Sequence, residues 1–207
     1  MASSNKEINP LHSAATVTTL FTLSGVRESE LRDHSFLKNA PHDIIARSGG
    51  IGNARISSPR ETQTFTGPAG LRNFTDFTGR YQDSIGILKR SHDMFIENVN
   101  ILSTVGPNAE RNLANFTKME FEVHEPYGIT LIEKVRAATA LNGFQDYQDA
   151  PLLLTIEFKG FDEQGRPLMF GTGGSKVGGL TRKIPILIAR VDFDVNEGGA
   201  KYNVIAV

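Results

Sequence analysis

Alternation of apolar and polar residues with a period of two dominates the second half of the chain. Apolar side chains occupy every second position in 119–123, 154–158 and 184–188. Successive side chains of a strand point to opposite faces, so this pattern predicts half-buried β-strands. A further strand is predicted from Met94 to Val105, closed by the turn residues 106–108. The sequence therefore predicts a mainly β domain.

The apolar set changes phase between Ile188 and Val191. A shift of one residue is what a β-bulge produces, so a bulge is predicted near residues 189–190. The Asn-Glu-Gly-Gly sequence at 196–199 predicts a hairpin turn, and a final strand is predicted from Tyr202 to Val207.

One helix is predicted between the strands, from about Thr130 to Leu141. Its first residues, Thr-Leu-Ile-Glu, match a capping box, in which Thr130 and Glu133 would satisfy free backbone N–H groups. Leu131, Val135 and Ala138 form one apolar stripe, and the Asn-Gly pair at 142–143 ends the helix. A helix of about three turns is marginal alone, so it is expected to pack on the sheet.

Composition limits the classes of function. The 207 residues carry a formal net charge of −1 and include no cysteine. This balance implies no bulk attraction to nucleic acid or to an anionic membrane. The lack of cysteine excludes disulfides, thiolate zinc sites and cysteine nucleophiles, and it fits a soluble protein that matures in a reducing cytoplasm. No apolar run approaches a membrane span, so no membrane partner is expected.

Two parts of the chain are expected to differ in order. Residues 1–90 show little periodicity of 2 or 3.6, and they contain polar, glycine-bearing stretches. They are predicted to be an extended or partly disordered N-terminal arm, ordered by contact with partners. Residues 91–207 are predicted to form the β-domain.

Candidate catalytic and cofactor motifs are weak. The glycine-rich stretch 171–179 lacks the Gly-Lys-Ser/Thr ending of a phosphate-binding loop and precedes a predicted strand, so a mobile hairpin tip is favoured. The five histidines are dispersed, with no two at metal-ligand spacing. No metal, no cofactor and no enzymatic activity are predicted.

Asp192 and Asp194 lie two residues apart on one predicted strand face. Paired carboxylates can serve catalysis, and a hydrolase that uses them is one alternative. Alternating acids opposite apolar residues are also typical of an exposed strand face. We favour the exposed face, which could line an acidic channel.

Four short segments stand out in the second half of the chain: FEVHEPYG at 121–128, LTIEFKGFD at 154–162 with Gly165, RKIPI at 182–186, and GGAKY at 198–202. Together they resemble the tail-tube-type domain of baseplate hub proteins from contractile-tailed phages. The resemblance covers roughly residues 94–207. Hub proteins of this kind carry two such domains, and one copy is visible here.

The resemblance implies a fold and a function. The expected fold is α+β, mainly β: a tail-tube-like β-sandwich or half-barrel with one flanking helix. The expected function is that of a structural virion protein of the phage tail or baseplate hub, assembled in the host cytoplasm as part of a ring around the central channel. The expected partners are further copies in a trimer or hexamer, other tail-tube or baseplate proteins, and DNA as passing cargo. The alternative is an adaptor or attachment module that grips one partner without forming a ring.

The predicted functional residues are interfacial. An elbow at Glu125, Pro126 and Gly128 and the glycine-rich loop are predicted to contact partners, and Asp192 and Asp194 are predicted to face the lumen. The loop residues in this prediction are Gly171, Gly173, Gly174, Lys176, Gly178 and Gly179.

Overall fold

A computed structural model describes residues 10–49, 84, 87–88, 94–108, 112–169 and 180–207. The strands are β1 (Thr16–Gly25), β2 (His42–Arg47), β3 (Phe95–Asn108), β4 (Asn112–Glu125), β5 (Leu152–Phe161), β6 (Leu180–Ile186), β7 (Ile188–Asn196) and β8 (Gly199–Ala206). The helices are α1 (Glu28–Arg32) and α2 (Leu131–Leu141), with 3-10 turns at Pro10–Ser13 and Ser35–Leu37.

The strands form two four-stranded antiparallel sheets. Sheet A has the order β2-β1-β5-β6, and sheet B has the order β3-β4-β8-β7. The central pairing of sheet A joins β1 to β5, from Thr16 opposite Phe161 to Ser24 opposite Leu153. The prediction of a mainly β fold with a flanking helix is therefore confirmed.

The two sheets are joined at both sides. On one side β6 runs into β7 through Leu187, whose backbone N–H donates to the Val207 carbonyl at 2.8 Å. On the other side the Arg47 N–H donates to the Met94 carbonyl at 3.0 Å, and the Ser48 hydroxyl donates to the Ile96 carbonyl at 3.2 Å. The sheets consequently close around a shared interior.

One large apolar core fills that interior. It combines Leu23 and Leu154 of sheet A with Phe121 and Val204 of sheet B, all of them almost fully buried. Helix α2 adds Leu131, Val135 and Ala138 to the same core and packs against β1 and β2. The predicted helix boundaries and the predicted apolar stripe are confirmed.

The predicted division at residue 90 is wrong for the first described part of the chain. Strands β1 and β2 supply half of sheet A, and Leu23 and Ile45 are completely buried in the core. Residues 16–47 are thus part of the β-domain and do not form a separate arm. The remainder of the predicted arm lies mostly outside the described residues.

Local predictions had mixed outcomes. The bulge is confirmed, because the β7–β8 register shifts between Ile188 and Arg190. The capping box is wrong: Thr130 makes no side-chain bond to the first turn of α2. The turn predicted at 106–108 is also wrong, since β3 continues in register to Asn108 opposite Asn112.

Candidate assembly interface

Strands β3 and β4 extend well beyond the rest of sheet B. Strand β4 pairs with β8 only from Met119 to Glu125, whereas its pairing with β3 continues to Asn108 opposite Asn112. The extension consists of 102–108 and 112–118, and we call it the ribbon. Seven register pairs, from Leu102–Lys118 to Asn108–Asn112, give it a length of roughly 20 Å.

The ribbon exposes large apolar side chains on both of its faces. Leu102 and Phe116, with 60% and 59% exposure, lie on the outward face, and Val105, with 61% exposure, lies on the face that continues from the core side. A two-stranded ribbon without a covered apolar face is at best marginally stable in water. Cross-strand contacts such as Ser103 Oγ to Thr117 Oγ1, at 3.1 Å, add little.

Strand β7 forms the opposite edge of sheet B and, among the described strands, pairs only with β8. Phe193 and Val195 lie on its core-side face but remain 61% and 48% exposed. The Phe193 ring contacts Tyr202, with the ring centroids 6.0 Å apart. An edge strand with uncovered apolar side chains offers a ready site for pairing with another strand.

The outward face of sheet B is charged. It carries Glu97, Glu120, Glu122, Asp192 and Asp194, with Lys118, Arg190 and Lys201 among them. Lys201 binds Glu122 at 2.9 Å, and Arg190 binds Asp192 at 2.7 Å. The hydrogen bond from Lys201 and a second from Asn98 lower the pKa of Glu122. Five acids against three bases leave the face with a small acidic excess in the described residues.

Asp192 and Asp194 therefore lie where an exposed strand face was expected. Both side chains are exposed on the outward face of β7. Asp192 is engaged by Arg190. Their assignment to a lumen remains a prediction.

The elbow at Glu125 is built around a buried carboxylate. Glu125 is only 1% exposed, and it accepts hydrogen bonds from the Thr130 N–H at 2.7 Å, the Thr130 hydroxyl at 2.7 Å and the Tyr202 hydroxyl at 3.0 Å. Burial, followed by this bond and the Glu125 charge, raises the pKa of Tyr202. The structure thus gives Glu125 an internal role in place of the predicted surface contact.

Two glycines allow the elbow to pack this tightly. A Cβ on Gly128 would lie 2.6 Å from Glu125 Oε1, and one on Gly199 would lie 2.3 Å from the Glu125 carbonyl oxygen. Gly199 also has a φ of +111°, which L side chains rarely adopt. Pro126 and Gly128 are half-buried, while Tyr127 and Ile129 between and beside them are 78% and 58% exposed. The exposed surface of the elbow therefore consists mainly of Tyr127 and Ile129, which were not among the residues predicted from the sequence.

The predicted glycine-rich loop cannot be placed. Residues Gly171 to Gly179 lie outside the described residues.

The described residues hold no group of three or more His, Asp or Glu side chains arranged to bind a metal ion. A cavity of about 820 Å³ lies beside α2, where the Arg136 guanidinium stands 5.7 Å from the centre of the Tyr147 ring. No helix in the described part of the chain has the length and apolar character that a membrane crossing requires.

Comparison with known proteins found no relative. No protein-family model matches the chain, and neither a curated protein nor a solved structure matches it. Proposals about function therefore depend on the geometry of sheet B and on the short segments described above.

Proposed function

We propose that this chain is a structural subunit that assembles head to tail into a ring around a central channel, as a virion protein of a phage tail or baseplate hub. The observation that carries the proposal is the placement of two incomplete structures at opposite edges of one sheet. The ribbon extends from the β3–β4 side of sheet B, and the open strand β7 lies at the other side.

Opposite edges favour a head-to-tail arrangement. If the β3 side of one copy meets the β7 side of the next, each copy uses two different surfaces, and the interface is heterologous. A heterologous interface closes into a ring when its rotation permits closure, and closure leaves no open strand edge. Addition of a strand at β7 would also cover Phe193 and Val195.

The ribbon supports contact on two sides. Leu102 and Phe116 face outward and Val105 faces the other way, so covering one face leaves apolar surface on the other. In a ring, a neighbouring copy covers one face. The other face is then available to a further tail-tube or baseplate protein.

The charged outward face of sheet B fits the wall of an aqueous channel. Its acids are interspersed with bases, and those acids that lack a partner would repel a polyanion more than bind it. Asp192 and Asp194 would then face the lumen, and DNA would pass as cargo without a specific binding site. An adaptor or attachment module that grips one partner without forming a ring is the second candidate, since the same ribbon can be covered by one unrelated protein.

Substitution at the open edge tests the proposal. Phe193→Lys places a charge where the proposed interface is apolar. Glu163→Lys introduces the same residue in the exposed turn after β5 of sheet A, with a larger change in net charge. We expect light scattering to give three or six times the 22.7 kDa chain mass for the parent and for Glu163→Lys, and a lower mass for Phe193→Lys. A parent that stays monomeric at all concentrations and binds one partner stoichiometrically would favour the adaptor.

A further inference from the structure

A short segment of the N-terminal part crosses the outer face of sheet A. Residues 27–39, which we call the strap, contain α1 and the 3-10 turn at Ser35–Leu37. Phe36 of the strap packs with Val26 and Leu153 in a small apolar cluster separate from the main core, and Leu31 lies against it. The strap thus covers the outward-facing Leu153 of β5.

Polar contacts around His42 fasten the strap. His42 Nε2 lies 2.9 Å from Glu30 Oε2 on the strap, and His42 Nδ1 lies 2.9 Å from Asp43 Oδ2 on β2. Glu30 also accepts hydrogen bonds from the Asn39 amide at 2.8 Å and from the Arg27 N–H at 3.1 Å. Glu30 therefore ties both ends of the strap to the imidazole.

Asn142, at the end of α2, and Lys183 of β6 contribute further polar contacts around this cluster. Asp43, which has a φ of +50°, accepts a hydrogen bond from Asn142 Nδ2 of α2 at 3.1 Å. From β6, Lys183 Nζ donates to the carbonyls of Phe36 at 3.0 Å, Leu37 at 3.3 Å and Asn39. The charges that act on His42 are those of Asp43 and Glu30, and Lys183 in turn interacts with Glu30 and Glu157.

The geometry around His42 fits a doubly protonated imidazole. Each ring nitrogen faces a carboxylate oxygen, and only the imidazolium form has an N–H on both nitrogens. Neutral imidazole would leave one nitrogen lone pair facing a carboxylate. We propose that the strap is a pH-sensitive closure over sheet A, which is closed while His42 is an imidazolium and opens when that second proton is lost.

The pKa shifts of His42 and Glu30 support the same dependence of closure on pH. Burial opposes the charge on His42, but the hydrogen bonds and charges of Asp43 and Glu30 outweigh it and raise the pKa above 6.5. A raised histidine pKa means that its contribution to closure is complete below about pH 6.5 and is lost as pH rises through the higher value. The pKa of Glu30 is lowered below 4.5 despite its burial, chiefly by the hydrogen bond to His42. Protonation of Glu30 therefore opens the strap only at a pH below the ordinary pKa of a glutamate.

Hydrogen exchange of the full chain tests the proposal. Exchange of strap amides, corrected for the intrinsic effect of pH, is expected to rise between about pH 6 and pH 9, while amides of β4 stay unchanged. The rise should be about tenfold for each pKa unit by which closure raises the His42 value. His42 deprotonation is followed in parallel by NMR of its ring.

Variants provide matched controls. Glu30→Gln is expected to increase strap exchange at pH 6, whereas Glu28→Gln, which removes an exposed pair with Arg32 on the same helix, is expected to leave it unchanged. His42→Gln is expected to abolish the pH dependence. Strap exchange that stays constant while the NMR signal of parental His42 shows deprotonation would overturn the proposal, whether or not the variants fold.

Discussion

The two halves of strand β4 pair with the same strand, β3, yet their surroundings are opposite. From Met119 to Glu125 the strand lies between β3 and β8 over the core, and Phe121 is 2% exposed. Among the described strands, only β3 pairs with it from Asn112 to Lys118, and Phe116 is 59% exposed. One half is completed by described strands of its own chain, and the other half is the surface that our proposal assigns to another molecule.

This difference separates folding from assembly. The covered half, from Met119 to Glu125, has buried apolar residues, and the Glu125 carboxylate at its end accepts hydrogen bonds from Thr130 and Tyr202. A stable domain requires both features. In our proposal the ribbon contributes little to the stability of one chain, and its exposed apolar surface is covered by a second chain. Substitutions in the covered half should change the free energy of unfolding, and substitutions in the ribbon should change the mass in solution.

The largest expected contrast is between two phenylalanines of β4. Phe121→Ala should destabilise the monomer by about 3–5 kcal/mol, because it leaves a cavity in the core. Phe116→Ala should change the unfolding free energy by less than about 0.5 kcal/mol while reducing the mass in solution. Urea unfolding of dilute samples, with light scattering of concentrated ones, measures both. Equal destabilisation by the two variants would contradict the comparison.

A smaller contrast is expected between two glutamates of the same strand. Glu125→Gln places an amide NH₂ near donors of Thr130 and Tyr202 and should cost about 2–3 kcal/mol. Glu120→Gln removes only an exposed pair with Lys118 and should cost less than about 1 kcal/mol. Thermal unfolding compares the two at the same pH. A neutral Glu125→Gln variant would show that the buried carboxylate does not hold the elbow.

The smallest effect is expected in the chain without substitutions, as a difference in amide exchange between the two halves of β4. Amides of 102–106 in the ribbon should exchange through local opening, whereas those of 120–124 should need an opening close to global unfolding. Concentrating the sample should protect the ribbon and leave 120–124 unchanged. Protection of the ribbon that does not depend on concentration would mean that the ribbon is already stable in the monomer.

The periodicity of apolar residues was interpreted correctly from the sequence, whereas the capping box at Thr130 and the turn at 106–108 were not. The phase change after Ile188 predicted the bulge, and the spacing of Leu131, Val135 and Ala138 predicted the buried face of α2. Both depend on local periodicity. The strands β4 and β5 followed from the same signal, although β4 proved longer than the alternating stretch.

Features that depend on contacts between different segments of the chain were missed. Strand β1 begins with threonines and an exposed valine, and its place in the sheet comes from pairing with β5 more than 120 residues later. The Thr130 hydroxyl donates to Glu125 instead of capping α2, because a buried carboxylate accepts a donor strongly. The contact of His42 with Glu30 has no local pattern that would have indicated it. The ribbon was indicated only by apolar residues at 101–105, without any sign that β8 would stop short of them.

Cross-linking between copies tests the head-to-tail arrangement most directly. The chain has no cysteine, so Thr104→Cys in the ribbon and Asp194→Cys on β7 each introduce a single thiol. With a short bifunctional thiol reagent, we predict cross-linked chains when the two single variants are mixed and none in either variant alone. Cross-linking within one variant alone would indicate a two-fold interface, and no cross-linking in the mixture would contradict pairing of the ribbon side with β7.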